Sequence, residues 1–167
     1  MKCELIVACT KDGVIGCNNM IPWYIPEDLK YFRNTTINNI VIMGRKTFES
    51  LPNGYLKNRI NIVLTNKKIT NPNVIFTNYE NIFSIIEKLQ TEETKKIFII
   101  GGSEIYRLFF NYCDTIHLTV IDNTITGDII FPYQIKQFAE PKYSTIYKSD
   151  KLTFNHIVYQ RFIYKKL

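Results

Sequence analysis

Nearly continuous apolar runs at Cys3–Cys9, Asn39–Met43, Arg59–Leu64 and Ile97–Ile100 constrain this chain most. They lack the alternation of a half-exposed strand and read as strands buried on both faces, as in a parallel sheet. Parallel neighbours need long crossovers, and helical patterns lie between them at Pro26–Asn34, Arg45–Leu51, Tyr79–Leu89 and Ser103–Phe110. Weaker strand-like runs follow at Val74–Phe76, Thr115–Ile121 and Thr153–Tyr164. Strand and helix alternate to about Ile121, and the remainder is β-rich. That order predicts one α/β domain over residues 1–167, with a mostly parallel sheet and an antiparallel C-terminal addition.

Composition narrows the function classes. The 46% hydrophobic and 22% charged content is that of a globular domain, with no run apolar enough for a membrane span. Cys3, Cys9, Cys17 and Cys113 show no metal-ligand or disulfide spacing and read as free thiols, which with no secretory leader points to a cytoplasmic setting. The net charge of +6 raises nucleic acid as a partner. However, the basic residues come as scattered pairs such as Lys67-Lys68, Lys95-Lys96 and Lys165-Lys166, which suits a small polyanion equally well. His117 and His156 lie far apart in strand-like stretches and read as structural.

Five stretches carry chemistry. In Trp23-Tyr24-Ile25-Pro26-Glu27-Asp28-Leu29-Lys30-Tyr31-Phe32, a helix starts at Pro26 with two acids suited to its positive end. Ile25, Leu29 and Phe32 share a face that Asp28 borders, so Asp28 is either a solvated first-turn acid or the polar anchor of a ligand pocket. Upstream, Thr10 to Trp23 is a long loop with apolar residues and two glycines, the composition of a lid. The run Val41-Ile42-Met43-Gly44-Arg45-Lys46-Thr47 ends a strand at Gly44 and opens a helix with two cations and a hydroxyl. Cations are unfavourable at a helix start unless an anion joins them, which suggests a phosphate. A second strand runs through Ile100 into Gly101-Gly102 and a helix opened by Ser103. Two such strand ends point to a dinucleotide bridging them, while Leu64-Thr65-Asn66-Lys67 offers groups for an adenosine 2′-phosphate.

Taken in order, Gly13-Val14-Ile15-Gly16, Ile21-Pro22-Trp23, Pro26-Glu27-Asp28-Leu29, Val41 to Thr47, Arg59 to Leu64, Ile100 to Tyr106 and Gly127-Asp128-Ile129-Ile130-Phe131-Pro132 resemble dihydrofolate reductase across essentially the whole chain. The resemblance implies a three-layer α/β fold: an eight-stranded, mostly parallel central sheet, an antiparallel C-terminal strand and helices on both faces. It implies NADPH-dependent reduction of 7,8-dihydrofolate to tetrahydrofolate, with a cis Gly101-Gly102 peptide. No metal, nucleic acid or membrane enters, and the protein would be a monomer or be joined to thymidylate synthase, as in some lineages.

Residue by residue, the resemblance makes Asp28 the carboxylate that grips the pterin, with Thr119 and Trp23 tying down that carboxylate and an ordered water. Ile21 is the lid residue over the reacting rings. Ile6, Val7 and Ala8 line pterin and nicotinamide with main-chain carbonyls, and Ile100 and Tyr106 flank them. Leu29, Phe32 and Leu51 keep the pterin site apolar, Phe32, Leu51 and Leu56 sandwich the aminobenzoyl ring, Ser50 joins the substrate-binding set, and Arg59 takes the glutamate carboxylate. For NADPH, the resemblance names Ala8, Ile15, Gly16 and Asn19 at the nicotinamide side. Gly44, Lys46, Thr47, Gly101, Gly102, Ser103, Glu104, Ile105 and Tyr106 follow along the pyrophosphate, with Arg45, Leu64, Thr65 and Asn66 at the 2′-phosphate. Asn66 stands where many relatives carry Arg or Ser, so selection of NADPH over NADH leans on Arg45 and Thr65. Phe48 replaces a common Trp. Two rivals stand beside this reading: a same-fold reductase of a pyrimidine intermediate in riboflavin synthesis, and a basic nucleic-acid-binding protein.

Overall fold

The computed structural model describes residues 2–89, 95–133, 141–148 and 153–160. Strand β1 (Cys3–Thr10) leads through β2 (Val14–Gly16) to helix α1 (Pro26–Thr36), then β3 (Ile40–Gly44), α2 (Arg45–Glu49), β4 (Ile60–Leu64) and β5 (Val74–Thr77). Helix α3 (Ile82–Leu89), β6 (Ile97–Gly101), α4 (Ser103–Phe109), a 3₁₀ turn (Phe110–Tyr112) and β7 (Cys113–Ile121) follow. Strands β8 (Ile129–Ile130), β9 (Pro141–Lys148) and β10 (Thr153–Gln160) complete the order.

Eight strands form one sheet in the order β5-β4-β3-β6-β1-β7-β10-β9. All pairs from β5 to β7 are parallel, and β10 alone runs against the rest, pairing antiparallel with both β7 and β9. The expected eight-stranded, mostly parallel architecture with an antiparallel C-terminal strand is therefore the one observed. The apolar runs are central for the reason their composition requires: Ile40, Val41, Ile42 and Met43 are buried on both faces, as are Ile97, Phe98 and Ile99. Each such side chain contributes about 1.5–3 kcal/mol on burial. One cluster gathers Leu5, Ile42, Ile62, Ile82, Ile86, Phe109 and Leu118; a second, on Ile6, Val41, Met43, Phe98 and Ile100, takes in Tyr31, Phe32, Leu51 and Leu56 from the segments above it.

Three strands were not legible in the sequence: β2, β8 and β9. The first two pair with each other and turn the expected lid loop into an ordered ribbon. Phe131 N donates to Gly13 O at 2.7 Å and Asp128 N to Gly16 O at 3.1 Å, while Asn18 and Asn19 take positive φ in a tight turn closed by Cys17 and Met20. Of the expected last strand, the portion after Gln160 lies outside the described residues, as does the Lys165-Lys166 pair.

One polar cluster pins the start of β1. Glu4 Oε2 stands 2.6 Å from His117 Nε2, and Glu4 Oε1 accepts from Lys96 Nζ at 2.7 Å. Burial alone would raise the Glu4 carboxyl, but the hydrogen bonds and charges of His117 and Lys96 outweigh it and hold the group below its ordinary value. A carboxyl depressed in the folded state adds stability above its unfolded value and loses it as pH falls through the folded value. Glu4→Gln is therefore expected to lower stability at pH 7 by roughly 1.5–3 kcal/mol. The deficit should narrow as the pH drops below the ordinary glutamate value of 4.5. Urea unfolding of both proteins across that range checks it, and equal stability at pH 7 would refute it.

Candidate functional site

Helix α1 starts as its sequence requires. Ile25 is the N-cap residue in extended backbone, Pro26 occupies the first turn, and no side chain caps the helix. Glu27 is exposed, whereas Asp28 turns back toward the sheet with its side chain 15% exposed. There the Thr119 hydroxyl, on β7, donates to Asp28 Oδ1 at 2.6 Å. His156 Nε2, on β10, lies 3.2 Å from the same oxygen. Asp28 is thus a carboxylate held against the sheet by groups from two strands. The two adjacent acids have separate surroundings, Asp28 against the sheet and Glu27 in solvent.

Around it the apolar surface is open. Ile25 is buried, but Leu29 is 47% exposed and Ile21 60% exposed, so the shared face expected of α1 divides into a core end and an open end. Trp23 packs with Ile25, Ile121 and Phe154. On the floor, Tyr106 donates its hydroxyl to Ile6 O at 2.9 Å. Complete burial, reinforced by the nearby Cys9 and Asp28 charges, raises the Tyr106 hydroxyl far above its ordinary range, so it remains a donor. Cys9, beside it on β1, is pushed up by burial to about 12 and is a packing thiol rather than a nucleophile. Val7 is buried and Ala8 partly so on the same strand.

At the far end of α1, Arg59 is held by three hydrogen bonds: Nε to Thr36 Oγ1 at 2.8 Å, and its terminal nitrogens to the carbonyls of Lys57 and Arg33. Its guanidinium lies 5.7 Å from the Phe32 ring centroid. Burial, with the Arg33 charge second, lowers its pKa, which marks a cation placed where a negative partner is favoured. Leu56 is fixed by Asn61, which accepts from Leu56 N and donates to Leu56 O, both at 2.9 Å. That clip brings Leu56 into the cluster with Phe32 and Leu51. Ser50 points elsewhere, donating to Thr47 O at 2.7 Å.

The second half of the site lies at the carboxyl ends of β3, β4 and β6, which adjoin because their pairing is parallel: Gly44 faces Leu64 and Met43 faces Gly101. The Gly101-Gly102 peptide is cis, and Gly101 has φ +111. A Cβ on Gly101 would lie 3.0 Å from the Tyr106 hydroxyl, and one on Gly44 would lie 3.0 Å from Ile105 Cγ1. Glycine is needed at both for packing. The Thr47 hydroxyl lies 3.5 Å from where a Gly102 Cβ would stand, so the two expected phosphate-binding turns do converge. Arg45 is engaged by both oxygens of Glu49, the nearer at 2.6 Å, and Lys46 is exposed. Ser103 does not cap α4: Gly102 occupies that position, and Ser103 Oγ donates to Ile130 O at 3.0 Å, linking α4 to the β2–β8 ribbon. Glu104 is exposed and Ile105 buried. Within the ribbon, Ile15 packs on the core, Gly16 is buried and Asn19 is exposed. A hollow lined by Thr65, Asn66, Lys67, Lys68, Thr77 and Asn78 lies beyond β4, where Thr65 Oγ1 already accepts from Lys67 N at 3.0 Å.

Sequence reasoning missed Asn61 and His156. Asn61 reads as one polar residue in an apolar strand, and its task is visible only when the loop it clips is in place. His156 carried no signal beyond its residue type, because which strand β10 joins, and in which register, is not local information. The expectation that it is merely structural is corrected by its approach to Asp28. Among the described residues, no helix is long and apolar enough to cross a membrane, and no group of three metal-ligating side chains is found.

Comparison with known proteins agrees with this geometry. The family model described as dihydrofolate reductase matches residues 2–165. The dihydrofolate reductase of Buchnera aphidicola subsp. Schizaphis graminum is 45% identical over 133 residues, covering 79% of this chain and 80% of that protein. The bifunctional dihydrofolate reductase-thymidylate synthase of Glycine max is 33% identical over 178 residues, which cover 95% of this chain but 33% of that longer protein. The solved structure of Enterococcus faecalis dihydrofolate reductase complexed with NADP(H) and RAB-propyl superposes with a TM-score of 0.83 at 30% identity, covering 96% of each chain. The chain belongs to the dihydrofolate reductase family.

Proposed function

We infer the residue roles from the geometry, within the activity the family carries: NADPH-dependent reduction of 7,8-dihydrofolate to tetrahydrofolate. The observation that carries the assignment is Asp28, a largely buried carboxylate tied to the sheet through Oδ1. Its second oxygen and remaining lone pairs suit the adjacent ring N–H and amino donors of a pterin, a paired charge-assisted contact that tolerates no large rotation. Holding the ring there turns hydride delivery at C6 into a positioning problem.

Phe32, Leu51 and Leu56 then form the apolar walls for the aminobenzoyl group, and Arg59 takes the glutamate carboxylate; its three existing hydrogen bonds pre-orient the fork. Ile6, Val7, Ala8, Ile100 and Tyr106 form the floor beneath the rings. Ile21, Leu29 and Met20, exposed at the mouth, are the surface that substrate would cover. Proton delivery to N5 falls to solvent at that mouth, with Asp28 supporting the positive charge on the ring.

The glycine-lined junction of β3 and β6 fits NADPH: two strand ends free of side chains at the approach, the Thr47 hydroxyl between them, and Arg45, Lys46 and Lys67 nearby. When bound, NADPH supplies the hydride. Gly44, Thr47 and Gly101 to Ile105 hold its pyrophosphate, and Thr65, Asn66 and Arg45 hold the 2′-phosphate, for which Arg45 must leave Glu49 or share it. Ile15, Gly16 and Asn19 border the nicotinamide side. We further propose that residues 1–167 act as one reductase unit in the cytoplasm, monomeric or associated with a thymidylate synthase.

Three outcomes test these roles. Asp28→Asn should bind NADPH normally yet lose about 10²–10⁴ in turnover at neutral pH, with partial recovery in acid, where substrate arrives protonated; unchanged turnover removes Asp28 from its role. Arg59→Leu should chiefly raise the KM for dihydrofolate and leave NADPH binding, followed by fluorescence, unaltered. A fall in NADPH affinity instead would reassign that site. For Arg45, Glu49→Gln should leave NADPH affinity equal or better because the competing carboxylate is gone; weaker binding would show that the pair orients Arg45 instead.

A further inference from the structure

The site contains an ionisable ring that the roles above do not use. His156 lies directly across the antiparallel β7–β10 ladder from Thr119. Side chains of opposed residues project to the same face, so this one register aims both groups at a single atom, Asp28 Oδ1, at 2.6 Å from Thr119 and 3.2 Å from His156. The imidazole is 6% exposed and closely seated. The Tyr31 ring lies over it at 4.2 Å between centroids with a 31° tilt, and Phe154 flanks it at 5.3 Å. Such packing leaves the ring little freedom to turn away.

Among the described residues, several groups face it. Helix α1 presents Asp28 and Tyr31. Behind Tyr31, whose hydroxyl is 2.7 Å from His117 Nδ1, stand His117 on β7 and then Glu4 on β1. On β9 its register partner is the uncharged Thr145. Both histidines of the chain therefore sit on either side of one tyrosine, one toward the Glu4 pair and the other toward Asp28.

We propose that His156 is a positioning residue for the reaction: with Thr119 it holds the Asp28 carboxylate by Oδ1, keeping Oδ2 turned to the substrate. This rests on Asp28 being the substrate carboxylate. With its proton on Nε2, the imidazole donates to that carboxylate oxygen. A neutral amide at this position would keep a donor, and a phenyl ring would remove it.

The test is steady-state kinetics of the parent, His156→Phe and His156→Gln at pH 7, with NADPH affinity as control. His156→Phe is expected to lose about tenfold in kcat/KM for dihydrofolate, the size of one hydrogen bond to a charged group, with NADPH binding unchanged. His156→Gln, which keeps a donor, should recover most of that loss at pH 7. A His156→Phe protein within twofold of the parent, or a His156→Gln protein tenfold or more below it, overturns the proposal. If His156→Phe does not fold, His156→Gln carries the kinetic test alone. The contact has its own readout: the parent has two histidines, so His156→Gln assigns their ring resonances, and Asp28→Asn should displace those of His156 more than those of His117. Equal or no displacement overturns the contact. Should Asp28→Asn leave turnover unchanged, the role of Asp28 fails instead, an outcome distinct from any His156 result.

Discussion

A buried parallel ladder from β5 to β7 obliges every one of those strands to end at the same edge of the sheet. Gly44, Leu64 and Gly101 come together there because they terminate neighbouring strands, not because they are near in sequence. The ladder is stable because its strands are apolar on both faces, and it leaves the carboxyl edge as the place where backbone can meet a ligand. A dinucleotide needs closely spaced, side-chain-free approaches, and two glycine-ended strands side by side supply them.

Across this frame lies helix α1, whose ends do different work. Its first turn carries Asp28 to Thr119 and His156, and its last turn supports Arg59 through Thr36 and Arg33. A carboxylate and a guanidinium are thus fixed near opposite ends of one short rigid rod, with the Phe32 ring between them. The β2–β8 ribbon, joined to α4 by Ser103, places Met20 and Ile21 at the mouth as part of an ordered turn rather than a loose loop.

Much of this was legible in the residues. Buried strands announced themselves as unbroken apolar runs, and Pro26, Glu27 and Asp28 marked a helix start correctly because capping and dipole preferences are local. Gly44 and Gly101-Gly102 were readable as strand ends for the same reason. Short or side-by-side features were less visible: β2 and β8 are three and two residues long, and such short strands exist only through their pairing. The ends of α2 and α4 also shifted, since Leu51 and Phe110 are turned into the core by packing rather than by propensity.

The site divides along the same line. Local chemistry in the sequence determined which residues could act: two acids at a helix start, cations and glycines at strand ends, an arginine before a buried strand. Tertiary structure alone decided that His156 stands beside the Asp28 carboxylate and that Tyr31 lies between the two histidines. Each of those outcomes depends on which strands lie next to which and in what register. Pairing over more than a hundred residues is set by the burial of whole faces, and no local pattern encodes it.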